Sequence, residues 1–231
     1  MAARAMQSAP GLPDGIEIFA CPIGDDTAIA LPQARDLLSD HETERAARFR
    51  FDRDRNRYIR GRAFLRQRLG AATGVAPARL VLAEGPRGKP GLVGHDLRFN
   101  LSHSGDVAVL ALSRRGPVGI DLEFIDRQAD TAGLAQRCFL GQELDVLNRL
   151  SPTEHRTRFF AFWTAKEARM KLTGEGMWLA PDRITLDLRA GWPVGYLLPR
   201  GEDIRIVYPE IGLTSAMCCL AYLEGAIPDI F

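Results

Sequence analysis

Gly119-Ile120-Asp121-Leu122-Glu123 alternates apolar and acidic residues, and Trp163-Thr164-Ala165-Lys166-Glu167-Ala168-Arg169-Met170-Lys171 follows further along the chain. On a β-strand the first segment puts Asp121 and Glu123 on one face and Ile120 and Leu122 on the other. The second has helical spacing, with Trp163, Glu167 and Lys171 four apart along one stripe. Phe159, Phe160, Phe162 and Trp163 directly precede Lys166 and Glu167, so this helix is mostly buried and its charges need partners. Each segment alone is commonplace, since an Asp-x-Glu on a strand usually faces solvent and a Lys-Glu pair on a helix is usually surface charge. Together they offer three carboxylates and an ammonium group. That donor set suits a hard divalent cation such as Mg²⁺ and the phosphates it carries.

Outward from these segments the chain reads as a strand over 16–22 and helix N-cap chemistry at Leu38-Ser39-Asp40. One or two arginine-rich helices then end at Gly70. Glu42 to Arg68 holds ten arginines against four acids, which fits a solvated face, a salt-bridge ladder or a phosphate site. A strand at Leu80-Val81-Leu82 precedes Gly85-Pro86-Arg87-Gly88-Lys89-Pro90. This turn is either a plain surface loop or a place where backbone lies against a ligand, with Gly88 permitting the approach. Arg98 to Gly105 contains Ser102-His103-Ser104, and an alternating strand runs over 107–112. No Gly-x-Ser-x-Gly is present, which argues against serine-hydrolase chemistry. Leu134 to Leu150 reads as helical, Ser151-Pro152 as a break with helix-start chemistry, and Thr157 to Leu172 as the motif helix ending at Gly174. Strands are expected over 184–188, 204–208 and 217–223. The order strand, helices, strands occurs twice, which points to a duplicated α+β unit.

The chain has 231 residues, a formal net charge of +1 and 46% apolar residues, enough for a full core. No apolar run is long enough to span a bilayer. Met1 to Gly15 reads as a flexible tail without the apolar region of a signal peptide. Cys21, Cys138, Cys218 and Cys219 lack metal-binding spacing, and reduced thiols in the cytoplasm are expected. Only Lys89, Lys166 and Lys171 among the 30 basic residues are lysine. Where lysine persists against such an arginine bias, a compact ammonium is needed in place of a planar guanidinium.

Four segments together resemble the larger single-chain 4′-phosphopantetheinyl transferases, the type that activates surfactin and other peptide or polyketide synthases. They are Arg87-Gly88-Lys89-Pro90, Phe99 to Ser104, Gly119 to Glu123 and Trp163 to Lys171, in the family's order and at its spacing. The resemblance implies an α+β fold, a pseudo-twofold pair of similar halves in one chain with the active site at their junction. The halves are expected at 16–115 and 116–231, the second carrying the metal ligands. The implied reaction moves the phosphopantetheine arm of coenzyme A onto a serine of an apo acyl or peptidyl carrier protein and releases adenosine 3′,5′-bisphosphate.

Carried over onto this chain, Asp121, Glu123 and Glu167 look like Mg²⁺ ligands. Lys171 looks like the cation on the pyrophosphate, with Lys166 beside it. Ser102 and His103 look like phosphate contacts, Arg87, Gly88, Lys89 and Pro90 like the adenine and ribose-phosphate loop, and Arg57 like the 3′-phosphate contact. Where the family often adds two basic residues from the preceding helix, Arg45 stands at one position and Glu42, an acid, near the other. Asp121, Glu167 and Lys171 are the expected catalytic residues, with Glu167 taking the serine proton directly or through a water. A monomer is expected, without nucleic-acid or membrane partners. The carrier would meet a partly basic, partly apolar groove between Ile125 and Leu150. Three other readings compete: a silent coenzyme A-binding scaffold of the same fold, an arginine-rich nucleic-acid binder and a Mg²⁺-dependent phosphohydrolase.

Overall fold

The computed structural model describes residues 5–6, 12–24, 29–85, 87–126, 128–199 and 203–224. The first half runs β1 (Ala5–Met6), β2 (Ile16–Pro22), α1 (Leu31–Arg35), α2 (Asp40–Ala47) and α3 (Asp52–Thr73). A 3₁₀ turn at Pro77–Arg79 leads to the hairpin β3 (Leu82–Glu84) and β4 (Pro90–Leu92), then to β5 (Arg98–Ser104) and β6 (Val107–Ser113). The second half runs β7 (Val118–Phe124), α4 (Thr131–Cys138), α5 (Gln142–Leu147) and α6 (Pro152–Thr173). After 3₁₀ turns at Gly176–Trp178 and Pro181–Arg183 come the hairpin β8 (Thr185–Arg189) and β9 (Trp192–Leu198), then β10 (Ile204–Val207) and β11 (Ala216–Leu223).

Each half therefore repeats strand, helices, hairpin and two strands. The sheets repeat too: β1-β2-β6-β5 in the first half, β7-β11-β10 in the second, with the opening strand antiparallel to the closing one in each. The expected α+β pair of similar halves is what the chain forms. Residues 1–4 and 7–11 of the expected tail, and Pro86 of the Gly-Pro turn, lie outside the described residues. Ala5 and Met6 are not tail but pair with Phe19 and Ile18 of β2.

Local chemistry sets the helices. Ser39 caps α2 in a capping box, accepting from the Glu42 N–H while the Glu42 carboxylate accepts from the Ser39 N–H. Pro152 opens α6, where a missing N–H costs nothing. Gly74 and Gly174 close α3 and α6 in the left-handed conformation, at φ 76° and 68°. Thus α3 runs past Gly70, the expected end. A Cβ on Gly70 would stand 2.8 Å from the Val75 carbonyl, so this glycine admits the chain returning over the helix. The expected helical stretch 134–150 breaks into α4 and α5 around Phe139, whose ring is fully buried.

Three apolar clusters hold the molecule. Phe64, Leu65 and Leu69 of α3 pack with Leu110 and Leu112 in the first half; Phe159, Phe160 and Phe162 of α6 pack with Phe139 in the second. The third joins the sheets, Ile16, Ile18, Val109 and Ala111 meeting Val118, Ile120, Leu122 and Leu220. Each large apolar side chain so buried contributes about 1.5–3 kcal/mol. No helix among the described residues is long and apolar enough to cross a membrane.

Candidate active site

The junction is built on β5 and β7. Three alternate residues of β5 bond to β7. Asn100 Oδ1 accepts from the Ile120 N–H at 2.8 Å, Ser102 Oγ donates to Asp121 Oδ1 at 2.9 Å, and Ser104 Oγ donates to Glu123 Oε2 at 2.8 Å. Every rung joins one half to the other. Ser102 is buried behind Asp121, so its hydroxyl serves this ladder.

α6 crosses over β7 at Gly119. A Cβ there would stand 2.0 Å from the Ala168 carbonyl oxygen and 2.4 Å from the Leu172 nitrogen, so only glycine allows this approach. The close crossing brings Lys171 Nζ to Asp121 Oδ1 at 2.5 Å and to Ser102 Oγ at 2.9 Å. Asp121 is 4% exposed, and its second oxygen, Oδ2, is buried without a hydrogen-bond partner. Burial, then the neighbouring charge of Asp121, pushes the Glu167 carboxyl above its ordinary pKa, with Glu123 adding and Lys171 opposing. Among the described residues no three His, Cys, Asp or Glu side chains already converge as metal ligands. The donor chemistry nonetheless fits Mg²⁺: three carboxylates share one neighbourhood, and a buried oxygen lacks a partner.

Beside the junction lies a cavity of about 1160 Å³, lined among others by Arg45, Arg57, Gly88, Pro90, His103 and Glu123. It is large for a small-molecule pocket, and its lining reaches the junction through Ser104 and Glu123. Desolvation, followed by the charges of Lys171 and Arg57, pushes the His103 imidazole below its ordinary pKa. Arg57 is held from the β5–β6 turn by Asp106, whose Oδ1 accepts from Nε at 2.7 Å and lies 2.6 Å from Nη2. Gly88 takes φ 80°, a backbone that a side chain would strain, and with Pro90 it forms part of the cavity wall.

Two expected ligand lysines face elsewhere. Lys166 is 1% exposed; its Nζ donates to Glu143 Oε2 at 2.7 Å and to the Cys138 and Pro181 carbonyls at 3.0 Å each. An ammonium has three protons, so none is left for a phosphate, and Lys166 is a core residue instead of a coenzyme A contact. Adjacent helix residues point about 100° apart, which sends Lys166 inward while Glu167 faces β7. Lys89 Nζ donates to the Val118 and Leu172 carbonyls at 3.0 and 2.9 Å, strapping its loop to β7 and the end of α6. Arg87 ion-pairs with Glu175 at 3.2 Å on the same side. Arg87 and Lys89 thus bind the loop to the second half, while Gly88 and Pro90 line the cavity.

Glu42 proves to be structural. Burial alone would raise its carboxyl pKa, but Arg62, the Ser39 N–H and Arg66 outweigh that and hold it down. Sequence reasoning missed Asn100, Ser104, Asp106 and Gly119 as residues that shape the site. For the first two the signal was present, as Asn100, Ser102 and Ser104 share the period of two that marked Asp121 and Glu123.

A duplicated α+β chain with carboxylates and a lysine at its junction, next to a large cavity, has the build of an enzyme acting on a phosphorylated substrate. Residues 117–206 match the family described as the 4′-phosphopantetheinyl transferase superfamily, and residues 27–115 match 4′-phosphopantetheinyl transferase, N-terminal. Over 170 residues the chain is 37% identical to the 4′-phosphopantetheinyl transferase HetI of a Nostoc species, covering 72% of this chain and 71% of that protein. Over 167 residues it is 30% identical to a 4′-phosphopantetheinyl transferase of Bacillus subtilis, covering 72% and 73%. The 4′-phosphopantetheinyl transferase gsp of Aneurinibacillus migulanus is 29% identical over 170 residues, covering 73% and 70%. The chain belongs to the 4′-phosphopantetheinyl transferase superfamily and is an enzyme of that kind.

Proposed function

We propose that this transferase moves the phosphopantetheine arm of coenzyme A onto a serine of an apo carrier protein at the β7–α6 junction. Asp121, Glu123 and Glu167 would hold Mg²⁺, which when bound would supply positive charge to the pyrophosphate of the donor. Lys171 adds a cation where the leaving group gains charge, and His103 and Arg57 hold phosphate from the cavity side. The serine oxygen forms a bond to the phosphorus of the arm as the bond to adenosine 3′,5′-bisphosphate breaks. The serine proton passes to Glu167, directly or across one water. General-base help of this kind is typically worth ~10²–10⁴-fold.

The observation that carries this reading is Asp121, which accepts from Lys171 and Ser102 through one buried oxygen and leaves the other without a partner. All three carboxylates are present, which favours a working enzyme over a silent scaffold. The test is the intact mass of an apo carrier protein incubated with the enzyme, coenzyme A and Mg²⁺, with and without EDTA. A phosphopantetheine mass gain is expected, lost with EDTA and lost in Asp121→Asn and Glu167→Gln. Near wild-type turnover in either variant would remove that residue from the metal site.

A further inference from the structure

Asp106 occupies the turn between β5 and β6, the strands that carry His103 and the ladder to β7. Its backbone is fixed: the Asp106 carbonyl accepts from the Ile23 N–H at 2.8 Å, and Ser104 pairs with Val107 across the turn. Its side chain occupies space that only a glycine leaves open. A Cβ on Gly24 would stand 2.1 Å from Asp106 Oδ1 and 2.2 Å from its Cγ. From this position Oδ1 engages both Nε and Nη2 of Arg57, while Asp54 lies 3.6 Å from Nη1. A guanidinium carries five N–H groups, so Asp106 takes one edge of the fork and leaves other donors for a ligand in the cavity.

We propose that Asp106 is a positioning residue that orients the Arg57 guanidinium toward the cavity and so sets the enzyme's preference for a donor bearing a 3′-phosphate. This rests on Arg57 being the 3′-phosphate contact of the reading above. Two features support it. Asp106 lies on the β5–β6 turn and Arg57 on α3, so the pair fixes a helix residue relative to the strand that carries His103. The aspartate side chain is 62% exposed and the arginine 20%, so the pair lies at the cavity rim where a phosphate would arrive. An ion pair this exposed adds little to stability, so removing it tests orientation without unfolding the protein.

The experiment is calorimetric titration of wild type, Arg57→Ala, Asp106→Ala and the double variant with adenosine 3′,5′-bisphosphate and, separately, with adenosine 5′-monophosphate. Asp106→Ala should weaken the bisphosphate by about tenfold, the loss of one charge-assisted contact, and leave the monophosphate unchanged. The double variant should bind the bisphosphate no more weakly than Arg57→Ala, since Asp106 acts only through Arg57. Bisphosphate affinity that is unchanged or tighter in Asp106→Ala, with Arg57→Ala selectively weakened, would overturn the positioning role and leave the 3′-phosphate reading standing. Equal weakening of both probes in Asp106→Ala would reduce Asp106 to fold support. No selective loss in Arg57→Ala would overturn the 3′-phosphate reading itself, and the Asp106 role with it.

Discussion

The three lysines show how far residue chemistry carries. Their survival in an arginine-rich chain points to a need for a compact ammonium, and that need is real, but only Lys171 meets it at the site. Lys166 and Lys89 use the ammonium's radiating protons to gather backbone carbonyls, which a planar guanidinium matches poorly. Sequence could flag the residue type but not its direction. Burial gives Lys89 a measurable signature: desolvation, then the charge of Arg98, lowers its pKa from 10.5 to about 8. The folded state therefore releases a proton that the unfolded chain keeps between those values, so stability rises with pH from about 8 to 10.5 and levels off below 8, where both states hold the proton. Urea unfolding of wild type and Lys89→Met at pH 7, 8.5 and 9.5 should show the wild type gaining on the variant as pH rises. A constant difference would mean that the ammonium is not desolvated.

Elements with clean periodicity were legible, and those that broke it were not. β7 and α6 could be read from alternation and four-residue spacing, and the N-cap chemistry at Leu38-Ser39-Asp40 announced α2. No strand was expected over β9, which carries Pro193 and Gly195, two residues that weaken a strand pattern, and which pairs with β8 in a broken register. The bend of Leu134 to Leu150 into two helices depends on where Phe139 packs, which is a tertiary fact. Nothing local marked Gly119 either, because its reason is a helix arriving from fifty residues downstream. Gly119→Ala should force α6 off β7 and draw Lys171 and Glu167 away from Asp121. The expected result is a folded, less stable protein with turnover reduced by about 10²-fold, the usual cost of misplacing reacting groups by about an ångström. Thermal melting and transfer kinetics measure the two effects. Unchanged turnover would mean that this crossing does not set the geometry of the site.

At the scale of the whole molecule, the duplication is written in buried charge more than in sequence identity. α3 and α6 are both 22 residues long, and each ends at a left-handed glycine. At matching places Arg66 and Lys166 are each 1% exposed. Arg66 pairs with Glu42 and donates to the Pro77 carbonyl; Lys166 pairs with Glu143 and donates to the Pro181 carbonyl. Each pair ties a long helix to an earlier helix or its cap and to a 3₁₀ turn. The positions that follow differ: α6 has Glu167 and Lys171 where α3 has Gln67 and Ala71, so the shared scaffold was kept while the chemistry went to one copy. If Lys166 is scaffold, removing one partner should be worse than removing both. Glu143→Leu should cost about 3–5 kcal/mol by stranding a buried ammonium, and adding Lys166→Met should recover part of that loss. Denaturant unfolding reads the stability, and titration with coenzyme A reads the site. The folded double variant should bind coenzyme A as wild type does, because no Lys166 proton is free to reach the ligand. Weakened binding there would return Lys166 to the active site and break the correspondence between the two halves.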